Sequence, residues 1–178
     1  MYLEIKINRV MRELFIFLMI LLPMIGIGQN LETQEKIDIL VAHNKYRLDL
    51  DLPELVWSSD LANSSKKWAD KLISSNLFEH SNTSNGENLF IIIGSDATPI
   101  QVVDNWASEK EYFNYKTKKC IQNCCDYVDC CSHECGHYTQ IIWRETMEVG
   151  CAVSKLGNKQ IWVCQYDPPG NYIGEETY

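Results

Sequence analysis

A chain of 178 residues with 24 acidic against 16 basic side chains carries a net charge of −8, so it lacks the positive surplus that displaces counterions from phosphates. Nucleic acid and anionic membrane surfaces are therefore disfavoured as partners. The length suits one compact domain behind a leader, and no second domain is expected.

The chain opens on Lys6, Arg9 and Arg12, follows with an apolar run from Leu14 to Ile27, and places small residues at Gly26 and Gly28. That order of basic, apolar and small residues reads as a secretory signal peptide over residues 1–28. The run is interrupted by Pro23 and falls short of the roughly 20 apolar residues a bilayer span needs, so no stable membrane span is expected. The leader holds three basic and two acidic side chains, which leaves −9 on residues 29–178. Those residues read as a single exported domain, and an extracellular location is expected. All eight cysteines (Cys120, Cys124, Cys125, Cys130, Cys131, Cys135, Cys151 and Cys164) lie in this part, and an even number behind a signal argues for an oxidised framework.

From Thr33, the residues Ile37, Leu40, Val41, Asn44 and Leu48 recur with a helical period and put His43, Asn44 and Arg47 on the same helix, which Pro53 ends. A second helix begins where Ser58 or Ser59 caps and Asp60 sits in the first turn, and runs through Leu61, Ser65, Trp68 and Leu72. Leu77 to Asn88 is polar and loop-like. Leu89 to Ile93 is a short apolar strand ended by Gly94. Thr98 then caps a third helix with Pro99 in its first position and Ile100, Val103, Trp106 and Ala107 as its apolar stripe. After the cysteine-dense segment 120–135 comes a short helix at His137 to Trp143. Val149 to Lys155 and Gln160 to Asp167 flank the turn signal Gly157-Asn158 and form a hairpin. This order implies an α+β fold, a mostly antiparallel sheet with helices packed on it. The five tryptophans sit at helical or strand positions and read mostly as core.

Four stretches agree in order with one family: His43-Asn44 with Arg47, Gly86-Glu87-Asn88, Gly136-His137-Tyr138-Thr139-Gln140 with Trp143, and Tyr166-Asp167-Pro168-Pro169-Gly170-Asn171. Together they resemble the CAP superfamily (cysteine-rich secretory proteins, antigen 5 and pathogenesis-related 1 proteins), and most of all its plant pathogenesis-related 1 branch. The resemblance implies a three-layer α-β-α sandwich stabilised by disulfides, with residues 120–135 as a cysteine-rich insertion. It also implies a cleft lined by His80, Glu87, Glu109 and His137. Two imidazoles and two carboxylates facing one cavity can hold Zn²⁺ through His80 and His137, or form His–Glu pairs when empty. The bland reading of the same four is a hydrogen-bonded network that fixes packing.

Functions of two classes follow. The first is a secreted, non-enzymatic, monomeric binding protein for a sterol, a fatty acid or an extracellular protein, with a defence or host-interaction role. The alternative is a metal-assisted hydrolase or protease using the His/Glu cleft. His133-Glu134-Cys135-Gly136-His137 matches the zinc-protease pattern H-E-x-x-H, but Gly136 weakens the continuous helix that pattern requires. For the cysteines, the resemblance implies bridges Cys120–Cys135 and Cys151–Cys164. The inner four, 124 and 125 against 130 and 131, are expected to form two nested or crossed bridges. A thiolate zinc cluster is the rival, disfavoured by export.

Overall fold

The computed structural model describes residues 31–121 and 135–178; the leader, the inner four cysteines and His133 lie outside the described residues. Helix α1 (Thr33–Leu48) opens on a capping box between Glu32 and Glu35 and ends with Lys45 and Arg47 in its last turn, charges that complement the helix dipole. It stops well before Pro53 because the N–H groups of Leu50 and Leu52 both turn back onto the Arg47 carbonyl. Strand β1 (Val56–Trp57) has no counterpart in the sequence reading, since two residues are too short to show a period. Helix α2 (Ser59–Ser75) starts after Ser58 with Asp60 in its first turn and ends on Asn76 in the left-handed region. Strand β2 (Gly86–Ile93) is longer than its apolar run, because the polar Gly86-Glu87-Asn88 also pairs. Helix α3 (Pro99–Ser108) has the cap expected of it, with Thr98 and Gln101 bonding reciprocally.

A 3-10 turn (Glu109–Tyr112), the short strands β3 (Phe113–Asn114) and β4 (Lys119–Cys120), helix α4 (Gly136–Ile141) and the hairpin β5 (Glu148–Leu156) and β6 (Lys159–Asp167) complete the described chain. The main sheet runs β1-β5-β6-β2 and is antiparallel except where β1 joins β5 in parallel. One face packs on α2 through Ala69, Leu72 and Ile73 against Leu89, Ile161 and Val163. The other carries α1, α3 and α4 around Trp106, Trp162 and Tyr166. This is the three-layer sandwich. At about 200 Å² and 25 cal/mol/Å², each buried tryptophan supplies up to roughly 5 kcal/mol of transfer free energy, so Trp106 and Trp162 anchor that second layer. Gly150 lets β5 pass the first turn of α2, where a Cβ would collide with the backbone of Ala62 and Ser58.

Cys151 and Cys164 are directly opposite in the hairpin and are bridged, with Cα atoms 4.1 Å apart. Cys120 and Cys135 are bridged at the base of the insertion. Both pairings are those the resemblance implied. Closing a loop of about 15 residues removes roughly 3 kcal/mol of unfolded-chain entropy, so the second bridge fixes the approach to α4.

The apolar rhythm that marks α1 in the sequence is not its buried face. Ile37, Val41 and Leu48 are 46%, 60% and 55% exposed, while His43 and Arg47 are fully buried beside Ile39, Ala42 and Tyr46. Hydrogen bonding makes this inversion tolerable, because buried polar groups persist when satisfied. His43 bonds the Ile39 carbonyl at 2.8 Å and the Tyr166 hydroxyl at 2.9 Å, and burial pushes its pKa down to about 4, so it is neutral. Arg47 donates to the carbonyls of Pro53, Ile141, Trp143, Arg144 and Thr146, tying α1 to the turn after α4. Asn44 accepts from the Leu55 N–H at 2.8 Å and donates to its carbonyl at 3.1 Å, so its amide stands in for a neighbouring strand.

Candidate functional site

Glu109, at the start of the 3-10 turn, reaches across to the first turn of α4. One carboxylate oxygen accepts from the backbone N–H groups of His137 and Tyr138 at 2.9 and 3.2 Å, and the other meets His137 Nδ1 at 2.5 Å. The carboxylate thus caps the otherwise orphaned donors of α4 and orients the imidazole at once. The His137 ring stacks on Trp106, centroids 6.2 Å apart. Asn88 holds the same turn from beneath, donating to the His137 carbonyl at 3.1 Å and to the Tyr166 hydroxyl at 3.2 Å. The core network of His43 and Tyr166 therefore ends directly under His137.

Glu87 and Asn88 are adjacent on β2, so their side chains leave opposite faces of the sheet. Where Asn88 turns to His137, Glu87 turns to the loop of His80. Its Oε1 accepts from His80 Nδ1 at 3.0 Å and from the Ser81 N–H at 2.8 Å; its Oε2 accepts from Ser81 Oγ at 2.5 Å and from Gln165 Nε2 at 2.9 Å. Burial alone would raise the Glu87 carboxyl pKa, but the bonds from His80, Gln165 and Ser81 outweigh it and hold the group below its usual value. The bond to Glu87 in turn raises the pKa of His80, whose side chain is 64% exposed against 5% for Glu87.

The four residues read from the resemblance thus stand as two His–Glu pairs, one on each side of the β2 edge. Among the described residues no three His, Cys, Asp or Glu side chains are placed to share an ion. Both carboxylates are engaged as hydrogen-bond acceptors, Glu87 by four donors and Glu109 by three. What remains open is Nε2 of each imidazole, the nitrogen a carboxylate-oriented histidine offers to a metal. Two imidazoles on separate pairs, with no third ligand beside either among the described residues, do not make the closed four-ligand cage of a structural zinc. Ser81, Gln165 and Asn88 complete the two pairs. Only Asn88 sits in a motif; Ser81 and Gln165 carry no pattern, since their roles depend on the β2–β6 register.

A second concavity lies on the far side of α1. It is a groove of about 570 Å³ between Ile37, Leu40, Val41 and Leu48 of α1 and the segment Leu55–Trp57. The sequence held a signal for it: α1 carries two apolar stripes, Ile39-Ala42-Tyr46 and Ile37-Val41-Leu48, and one helix in a single layer buries only one.

A disulfide-bridged α-β-α sandwich with carboxylate-oriented histidines at one sheet edge defines a class of domain, and comparison with known proteins specifies it. Residues 40–166 match the cysteine-rich secretory protein family, CAP. The chain is 37% identical to pathogenesis-related protein 1A of Nicotiana tabacum over 142 residues, 79% of each chain. It is 35% identical to pathogenesis-related protein 1 of Arabidopsis thaliana, covering 79% of this chain and 81% of that one. Among solved structures, NaASP2 with Zn²⁺ superposes with a TM-score of 0.69 at 23% identity over 84% of this chain and 87% of that one. The hookworm platelet inhibitor gives 0.66 at 20% identity over 84% and 78%. The chain belongs to the CAP family. No helix among the described residues is long and apolar enough to cross a membrane.

Proposed function

We propose that this chain is a secreted, non-enzymatic binding protein that works outside the cell in a defence or host-interaction role and holds an apolar ligand in the α1–β1 groove. The observation that carries the proposal is the groove itself: an apolar cavity within the 300–1,000 Å³ range of ligand sites, lined by a helix stripe whose Ile37, Val41 and Leu48 are exposed among the described residues. The Glu87 carboxylate, which already accepts four hydrogen bonds, supports the non-enzymatic half, since a general base needs a free lone pair on its substrate. Sterols and fatty acids are the small-molecule candidates. Titration of micromolar protein with labelled sterol and labelled fatty acid tests them: saturable binding that weakens at least tenfold in Val41→Asp is expected, and no saturable binding of either ligand removes the lipid class.

A second reading is favoured by the exposure of the two imidazoles, 64% for His80 and 36% for His137, a metal-assisted hydrolase in which His80 and His137 hold a divalent ion. A bound ion would polarise a substrate oxygen; Glu109 and Glu87 would fix the imidazoles. Peptidase or esterase activity that needs metal and disappears in His137→Ala would favour this reading over the first.

A further inference from the structure

The second wall of the α1–β1 groove is the edge of a strand. Val56 donates to the carbonyl of Met147, just before β5, and Ser58 to that of Val149 in β5, so the backbone groups of Leu55 and Trp57 point the other way, toward α1. At Leu55 both groups are taken by the Asn44 side chain. At Trp57, the next outward-facing residue, the N–H and C=O meet no partner among the described residues. The groove therefore presents one open strand position with an apolar stripe facing it.

That combination discriminates between apolar ligands. A hydrocarbon ligand lying over Trp57 would cover its N–H and C=O without bonding them and would leave both desolvated and unpaired. An extended peptide satisfies both and drops alternate side chains between Ile37, Val41 and Leu48, which is how strand addition to an exposed sheet edge recognises its partners. Charge narrows the partner further. Glu54 and Lys45 both line the groove, and Asp49 and Asp51 are exposed in the turn that follows Leu48, on a domain of net charge −9. Positively charged flanks on an apolar segment complement this rim.

We infer that the α1–β1 groove takes an extended apolar peptide with basic flanks, which adds as a strand to β1 through the backbone of Trp57. This rests on the reading of the chain as a binding protein and names the class of its ligand, a segment of another extracellular protein.

The probe is a lysine-flanked peptide of alternating valine and threonine, with the same peptide N-methylated on alternate backbone nitrogens in each of the two registers. Full-length exported protein is titrated with each by calorimetry, and Trp57 amide exchange is followed by NMR. Saturable binding is expected, with at least tenfold loss for one N-methylated register, at least tenfold loss in Val41→Asp, and at least tenfold slower exchange of the Trp57 amide. Equal affinity for the parent and both methylated peptides, or an unprotected Trp57 amide in the complex, overturns the inference. Val41 is exposed, so its substitution reports on the groove rather than on folding; guanidine melts of the variant verify this. Binding of sterol or fatty acid lost in Val41→Asp, with no peptide bound at millimolar concentration, overturns the inference and leaves the binding-protein reading standing. Failure of all three ligands removes both.

Discussion

The two faces of α1 run against the usual rule: His43, Asn44 and Arg47 are inside beside Ile39, Ala42 and Tyr46, and the apolar residues Ile37, Val41 and Leu48 are outside. The inner face carries polar groups because it joins elements distant in sequence. Arg47 alone collects five carbonyls from two stretches of chain, Pro53 and residues 141–146, and His43 reaches Tyr166 on β6. Among the described residues the outer face meets the β1 segment and is otherwise exposed. Burial thus follows hydrogen-bond satisfaction on one side of this helix, and the apolar side is left for something else.

The contrast is broken most severely at Arg47. Arg47→Met would remove five donated hydrogen bonds, three of them buried, and the lost network is worth at least about 3 kcal/mol. Urea denaturation should show that loss; a change below about 1 kcal/mol would mean that the inner face is not held by this network.

The next largest effect is acid. The pKa of His43 in the fold is about 4, against 6.5 for the free residue. The unfolded chain therefore binds the extra proton first, so stability is full above pH 6.5 and falls as pH drops toward 4. A shift of that size corresponds to about 3 kcal/mol. Two groups at the cleft bound this window. The raised pKa of His80 adds stability that is present below 6.5 and fades as pH climbs through its folded value. The depressed pKa of Glu87 adds stability that is present above 4.5 and is lost as pH falls through its folded value. Chemical denaturation across pH 3.5 to 8 should show the His43 slope, and a flat profile between 6.5 and 4 would contradict neutral burial of this ring.

The sequence carries the sandwich well because its signals are local. The Thr98-Pro99 cap, the Gly157-Asn158 turn and the alternation of the terminal hairpin each need only neighbouring residues, and all stand where the sequence places them. The His–Glu pairs were legible only through the family motifs. Nothing in the spacing of Glu109 and His137 says that one caps the helix of the other, since that contact depends on how α3 and α4 pack. The burial of α1 was misleading for a related reason: periodicity reveals two stripes, but which one faces the sheet is decided by partners such as Tyr166 and Ile141, far along the chain. Strand β1 was invisible, being two residues defined wholly by its neighbour β5.

The smallest expected effect sharpens the comparison from the other side. Val41→Asp sits on the exposed stripe and should change stability by no more than about 0.5 kcal/mol, while Arg47→Met on the inner face costs several times that. Equal losses in thermal melts of the two variants would erase the distinction between the faces.

The central claim is that ligands bind at the outer face of α1 and not at the His–Glu cleft. The most direct measurement is an amide NMR map of the exported protein saturated with whichever of the probe peptide, sterol or fatty acid binds most tightly. The account predicts that shifts concentrate at Ile37, Val41, Leu48 and Trp57 while His80 and His137 stay in place. Shifts centred on His80 and His137 with an unmoved α1 would contradict it.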